Sequence, residues 1–351
     1  MIINLFKVFA PLAISFFVGI ALTPLLTHYL YKYKMWKKRA GKVDPSGNGT
    51  PIFNQLHKDK EVGTPRMGGI IIWASAFITI FIFWFLAKGW PGDITEKLSF
   101  LSRNQTWLPL FTLLAASLIG LVDDWLEVSG TGAYIAGGLP FSQRLILVII
   151  LGLIGAWWFY FKLEVLEITI PFWGLINIGL WFIPLFVVAM VGLFSSGVID
   201  GLDGLAGGVM TIIFTSYAII AFAQNQIDLA AFCAVIAGGT LAFLWFNIPP
   251  ARFYMSETGI LGLTTTLTVV AFLTDTVLIL PLIALPLTVT ILGNVIQMGS
   301  KKLFGRKVFR VAPIHHHFEA LGWPAYKVVM RYWVISIIAA IVGIIIVLIS
   351  R

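Results

Sequence analysis

Charge and cysteine are both scarce in this chain. Only 11% of its 351 residues are Asp, Glu, Lys or Arg, and Cys233 is the single cysteine. A water-soluble domain carries about 25% charged residues, so an ordinary soluble fold is excluded. One cysteine excludes an intrachain disulfide, and inside an apolar run it reads as a buried structural thiol. A separate soluble domain has no stretch to occupy, and no internal repeat of the transporter kind stands out. What fills the chain is apolar: 59% of it is hydrophobic. The apolar runs recur near 20 residues, each long enough to cross roughly 30 Å of hydrocarbon as helix. The expected fold is an all-α polytopic membrane protein, a single integral membrane domain over residues 1–351.

Ten spans are expected, near 4–30, 67–88, 108–124, 143–162, 176–195, 205–224, 228–246, 259–274, 277–299 and 326–350. The first run is longer than a signal-peptide core and lacks a small-residue cleavage site, so it reads as the first span. Nine of the 24 Lys and Arg residues fall within 31–66 and seven more within 301–331. The positive-inside rule places both segments in the cytoplasm and both termini outside. It also accounts for the net charge of +8 without a nucleic-acid partner. LEVLEITIPF at 163–172 alternates and then stops at Pro171, which predicts a small extracytoplasmic strand pair or hairpin. GWPGDITEKLSFLSRNQTW at 89–107 is the other sizeable outer loop.

Four polar clusters break the apolar pattern. They are Asp123-Asp124 in GLVDDWLE, Asp200 and Asp203 in IDGLDGLAGG, Glu257 in FNIPPARFYMSETG, and His315, His316 and His317 in PIHHHFEALGW. The expected topology puts all four on the cytoplasmic face. Each acid near a span costs free energy, roughly 2.5–3.5 kcal/mol at a span centre and less at the ends. A solvated helix end explains one such acid but not five converging with three histidines. On a helical turn Asp200 and Asp203 share one face, and their flanking glycines allow close backbone approach. Neighbouring Asp123 and Asp124 cannot point the same way on a helix. Carboxylate ligands without cysteine suit Mg²⁺ or Mn²⁺. Three consecutive histidines lack the i, i+4 spacing of zinc helices. Beside Lys301, Lys302, Arg306, Lys307 and Arg310 they read as donors to phosphate oxygens. Together these features point to phosphoryl transfer involving a lipid.

VGTPRMGG at 62–69, the Asp123-Asp124 pair, IDGLDGLAGG, FNIPPARFYMSETG and APIHHHFEALGWPAYKVVMRYW resemble the phospho-N-acetylmuramoyl-pentapeptide transferases. These are a branch of the polyprenyl-phosphate N-acetylhexosamine-1-phosphate transferases. The matches run from about residue 57 to 335 in the family's order, and the ten-span topology with both ends outside agrees. The aspartate motifs are shared by the superfamily, whereas PIHHHFE–GW points to the muramoyl-pentapeptide branch. The resemblance implies that undecaprenyl phosphate attacks the β-phosphate of UDP-N-acetylmuramoyl-pentapeptide, releasing UMP and leaving lipid I. It implies a multi-pass protein among the lipids of the bacterial cytoplasmic membrane, a homodimer, and Mg²⁺ or Mn²⁺ as cofactor. Asp123 and Asp124 would bind or deprotonate the lipid phosphate, and Asp200 would contact the nucleotide with Asp203 beside it. His317 joins Asp123, Asp124 and Asp200 as a catalytic residue. Thr64, Asn247, Tyr254, His315, His316 and either Lys58 or Lys60 would bind substrate. Asp124, Asp200 and Glu257 would be the metal ligands.

The chain departs from the family pattern in four places. Glu257 stands where the family usually has aspartate, which keeps the charge and lengthens the reach by one methylene. Gly197 and Ile199 replace an asparagine and a threonine before Asp200. Glu127 occupies a usual lysine position, and GTGAYIAGGLPFSQR lacks the basic residues expected there. The alternatives are an N-acetylglucosamine-1-phosphate transferase, which the HHHF stretch argues against, and an ion- or proton-coupled transporter. Transporter sites lie near the bilayer midplane at a repeat interface, unlike acids gathered on one face.

Overall fold

The computed structural model describes residues 2–38, 62–102, 104–131 and 138–350. Among these, nine helical segments are long and apolar enough to cross a membrane, so this is a multi-pass membrane protein. They are α1 (Ile2–Lys32), α2 (Ile70–Gly89), α4 (Trp107–Ser129) after the short α3 (Asp93–Leu98), and α5 (Phe141–Lys162). After a two-stranded sheet come α6 (Phe182–Ser195, with a 3-10 turn at each end), α7 (Leu205–Ala223), α8 (Ile227–Asn247) and α9 (Ser256–Leu273). The chain closes with α10 (Leu280–Ile283), α11 (Leu285–Phe304), α12 (Ile314–Ala320) and α13 (Ala325–Ile349).

The span expected at 277–299 is not one helix. It divides at Ala284 into α10 and α11, each with a proline in its first turn. Pro281 and Pro286 lack the N–H that would continue the ladder, so the run restarts at each. The hairpin also differs in extent. Strand β1 (Glu167–Ile170) pairs antiparallel with β2 (Gly174–Asn177), Ile168 opposite Ile176. Pro171 ends the first strand as expected, but the second lies beyond it, in residues assigned partly to the next span. Phe172 and Gly174 take positive φ to make the turn.

Lipid is as apolar as leucine, so small residues and close packing hold such helices together. Gly238 and Gly239 of α8 bring it against Leu12 of α1 and Ser75 of α2, where any Cβ would overlap. The Ser15 hydroxyl there donates to the Val235 carbonyl at 2.8 Å. Helix α9 is the centre of the bundle: 89% of its apolar window is buried, against 22% for α1. It is also the least apolar span, with Thr258, Thr264, Thr265, Thr266 and Thr268 all buried. Thr264 and Thr265 donate to carbonyls one turn back, at 2.9 and 2.7 Å, which satisfies their hydroxyls inside the core. Cys233 is buried and unpaired in α8, as its apolar run predicts.

Eighteen residues make α9 about 27 Å long at 1.5 Å per residue. Just past one end, Asp275 Oδ1 accepts from the Thr169 amide at 2.9 Å and so pins the hairpin. Lys7 pairs with Asp228 at 2.5 Å at the helix ends near that side. All four polar clusters gather at the opposite end.

Candidate active site

The N-terminus of α9 organises everything around it. Gly69 of the VGTPRMGG segment meets Gly259, and Gly120 of α4 meets the Glu257 carbonyl, both too closely for any Cβ. Three backbone bonds zip the first segment to YMSETG: Gly68 N–H to Tyr254 O at 2.8 Å, Gly69 N–H to Met255 O at 3.2 Å and Tyr254 N–H to Pro65 O at 2.9 Å. Tyr254 is therefore fixed through its backbone, and Thr64 lies half-buried beside this pairing. Lys58 and Lys60 lie outside the described residues.

Asp123 and Asp124, in the last turns of α4, point apart as the sequence requires. Asp124 Oδ2 accepts from both the Thr258 amide, at 2.9 Å, and its hydroxyl, at 2.5 Å. That places a carboxylate on the positive end of the α9 dipole. Its Oδ1 makes no hydrogen bond and lies 3.5 Å from Arg66 Nη1. Asp123 Oδ1 accepts from the Leu139 amide at 2.5 Å, and its Oδ2 lies 3.4 Å from Arg144 Nη1. Arg144 also donates to Glu257, so one guanidinium in the first turn of α5 bridges two acids. Arg66 donates to Glu127, whose other oxygen is 3.2 Å from Lys37 Nζ. For Arg66, burial alone would lower the pKa, but Glu127, Asp124, Asp200 and Glu257 outweigh it and raise the value.

The cluster has two tiers. Asp123 and Asp124 are 3% and 0% exposed. The side chains of Arg66, Arg144 and Glu257 are 19%, 19% and 27% exposed. The two guanidinium groups and the Glu257 carboxylate therefore lie nearer the surface than the two aspartates.

The second region is built differently. Asp200 and Asp203 are not on a helix, contrary to the shared-face expectation. The 3-10 turn ends at Ile199, Gly204 takes a φ of 81°, and α7 begins only at Leu205. The two acids diverge. Asp200 Oδ2 accepts from the Ser256 amide at 2.8 Å, and Asp203 Oδ2 from the Ala251 amide at 3.3 Å. Asn247 clamps the turn: its Oδ1 accepts from Gly204 N–H and its Nδ2 donates to Phe253 O, each at 2.9 Å. With both amide atoms committed and 2% exposure, Asn247 shapes the site from behind. Trp333 Nε1 donates to the Gly204 carbonyl at 3.2 Å, and Gly208 lies flat against the same indole.

The histidines complete this region, but not as a set of three. A Cβ on Gly201 would lie 2.5 Å from His315 Nε2 and 2.8 Å from His316 Nε2, so both rings rest on that glycine. His316 Nδ1 shares a 2.7 Å hydrogen bond with Glu319 one turn on. His317 turns instead to the 306–310 segment, where its Nδ1 accepts from the Arg310 amide at 3.1 Å. Burial, and then the Arg310 charge, lowers its pKa below the ordinary histidine value.

No group of three or more His, Cys, Asp or Glu among the described residues is gathered tightly enough to hold a metal ion. Asp124, Asp200 and Glu257 engage Thr258, Ser256 and Arg144 respectively. The donor chemistry still fits a hard cation, because it is all oxygen and Asp124 Oδ1 lacks a hydrogen-bond donor. Mg²⁺ commonly takes one or two carboxylates and draws its other ligands from water and substrate phosphates.

Sequence reasoning assigned no role to Arg66, Arg144 or Lys37. Arg66 lies inside VGTPRMGG, a motif that carries the family resemblance without singling out its arginine. Arg144 closes GTGAYIAGGLPFSQR, the stretch read as lacking basic residues, and supplies the cation that stretch was expected to provide. Lys37 had no spacing signal, because it reaches the site from a distant segment; Glu319, three residues after His316 on one helical turn, could have been found from that spacing.

Residues 106–275 match the domain described as glycosyl transferase family 4. A phospho-N-acetylmuramoyl-pentapeptide-transferase of Chloroflexus aggregans is 34% identical over 331 residues, covering 90% of this chain and 83% of the relative. The enzyme of that name from Clostridium perfringens is 33% identical over 334 residues, covering 95% and 96%. A third, from Caldanaerobacter subterraneus, is 34% identical over 339 residues, covering 96% and 97%.

Proposed function

Because the chain belongs to the phospho-N-acetylmuramoyl-pentapeptide-transferase family, we propose that it transfers phospho-N-acetylmuramoyl-pentapeptide from its UDP donor to undecaprenyl phosphate. The products are lipid I and UMP, and the process is peptidoglycan synthesis. The observation that carries this reading is the meeting of the carboxylate–arginine cluster and the histidine-backed aspartate turn around one helix N-terminus. That is one site of mixed charge at the end of a membrane bundle, suited to a lipid whose tail stays in the bilayer. The basic segments 31–66 and 301–331 support a cytoplasmic-membrane protein whose site faces the cytoplasm.

In this reading the guanidinium groups of Arg66 and Arg144 receive phosphate oxygens at the mouth. Their carboxylate partners hold both in place, so little reorganisation is needed as charge shifts in the transition state. Asp200 and the imidazoles of His315 and His316 border the other side, with Glu319 orienting His316. Asp124, Asp200 and Glu257 would hold Mg²⁺, which would supply charge neutralisation for the transferring phosphoryl group.

The test is lipid-dependent UMP release by the purified full-length protein, comparing UDP-N-acetylmuramoyl-pentapeptide with UDP-N-acetylglucosamine as donors. Release from the muramoyl donor alone, lost in Asp200→Asn, is the expected result. Release from the N-acetylglucosamine donor alone would move the protein to another branch. Lipid-independent release, or none, would overturn the transferase reading.

A further inference from the structure

The bases at the mouth include one the family pattern does not anticipate. Position 127, where the resemblance calls for lysine, carries glutamate, so a cation is missing from α4. The structure puts two cations against that glutamate: Arg66, hydrogen-bonded to Oε2, and Lys37, 3.2 Å from Oε1. Both come from the segments that leave α1 and enter α2, joined by an Arg66 N–H bond to the Met35 carbonyl at 2.8 Å. The positive charge is present after all, moved from the helix to the loop facing it.

Burial decides which member of this group a ligand would meet. The side chains of Lys37 and Glu127 are 9% and 10% exposed and Asp124 is enclosed, whereas Arg66 is 19% exposed. One nitrogen of its guanidinium, Nη1, faces both Glu127 and Asp124. The other donors of the planar fork match the geometry of a phosphate. Lys37 offsets the Glu127 charge, so the carboxylate that aims the arginine does not repel an anion.

We propose that Arg66 is a phosphate-binding residue of this site and that Glu127, backed by Lys37, is the residue that positions it. Glu127 draws the guanidinium onto itself and off Asp124, whose Oδ1 then has no hydrogen bond although Nη1 is only 3.5 Å away. The ligand is a phosphate group, either the monoester of the lipid acceptor or the diphosphate of the nucleotide donor. This inference rests on the transferase reading above.

The experiment uses the full-length protein in detergent. It measures kcat, the KM for each substrate and the melting temperature for wild type, Arg66→Gln, Arg66→Lys, Glu127→Gln and the swap Arg66→Glu with Glu127→Arg. Wild-type activity tests the transferase reading independently of the variants. Arg66→Gln is expected to lower kcat/KM for one substrate by at least about 100-fold, with Arg66→Lys recovering part of the loss. Glu127→Gln is expected to depress the same parameter by about 10-fold, as for a supporting residue. A KM rise confined to the lipid assigns Arg66 to the acceptor phosphate, and one confined to the nucleotide assigns it to the donor diphosphate. The swap should regain the melting temperature but not the kinetics. Recovery of both by the swap would reduce the pair to a structural tie. Arg66→Gln within twofold of an active wild type would overturn the proposal.

Discussion

The two halves of the site are held together by opposite means. Around Asp123 and Asp124, long charged side chains from the segments after α1 and before α2, and from α4, α5 and α9, reach one another across gaps: Lys37 to Glu127 to Arg66, and Arg144 to Asp123 and Glu257. Around Asp200 and Asp203, backbone amides and flat rings do the work: Ser256 and Ala251 N–H on the acids, imidazoles on Gly201, an indole on Gly208. The first half is built of charge that a phosphate can compete for. The second half is built of backbone donors and closely packed rings. Changes of charge at constant volume should therefore separate activity from stability in the first half, while changes of volume should cost both in the second.

The largest separation is expected at Asp124. Asp124→Asn keeps the volume and an acceptor for Thr258 while removing the charge. UMP release should fall on the order of 100- to 1,000-fold, with a melting temperature close to wild type. A large fall in both would place Asp124 with the shape-built half. Arg144→Gln tests the same half more gently, since Arg144 serves Asp123 and Glu257 together. A loss of about 10- to 100-fold in kcat is expected, as for residues that orient ligands.

Gly201→Ala should break the other half. Its Cβ has no room between His315 and His316, both 3% exposed or less. Overpacking of this kind costs about 1–3 kcal/mol, so thermal melting and UMP release should decline together. Trp333→Phe keeps most of the packing but removes the donor to Gly204 O. The expected cost is about 1 kcal/mol, read as a lower melting temperature with a smaller change in kcat.

The smallest effect belongs to pH. The folded state holds the His317 pKa below its ordinary value, through burial and Arg310. The unfolded chain therefore binds this proton more readily. The linked stability is present above the unfolded histidine value and is lost as pH falls through it toward the folded one. His317→Gln should lose less melting temperature than wild type between neutral and mildly acidic pH. Parallel curves for the two proteins would show that His317 carries no such linkage.

Much of this was legible in the sequence because a membrane limits the choices. Apolar length defines a span, so nine of the ten expected runs appear as helices. The tenth is divided by Pro281 and Pro286, whose missing N–H groups outweigh its hydropathy. The acids were legible as exceptions to an apolar background. Their partners were not, because Arg66 and Lys37 sit in a segment already explained by topology. Periodicity also misled at Asp200 and Asp203, where a three-residue spacing reads as helix but Gly204 delays the start of α7.

The sequence by itself determined the solvent, the run of spans, the oxygen-rich chemistry and the family resemblance. These follow from composition and from short motifs whose meaning is local. Tertiary structure alone decided which charge answers which. It set Arg66 and Lys37 against Glu127, bridged Asp123 to Glu257 through Arg144, and turned His315 and His316, but not His317, onto the aspartate turn. The physical reason is distance. A Coulombic or hydrogen-bonded partner must lie within a few ångströms in space, and helices packed through glycine bring residues dozens to more than a hundred positions apart to that range.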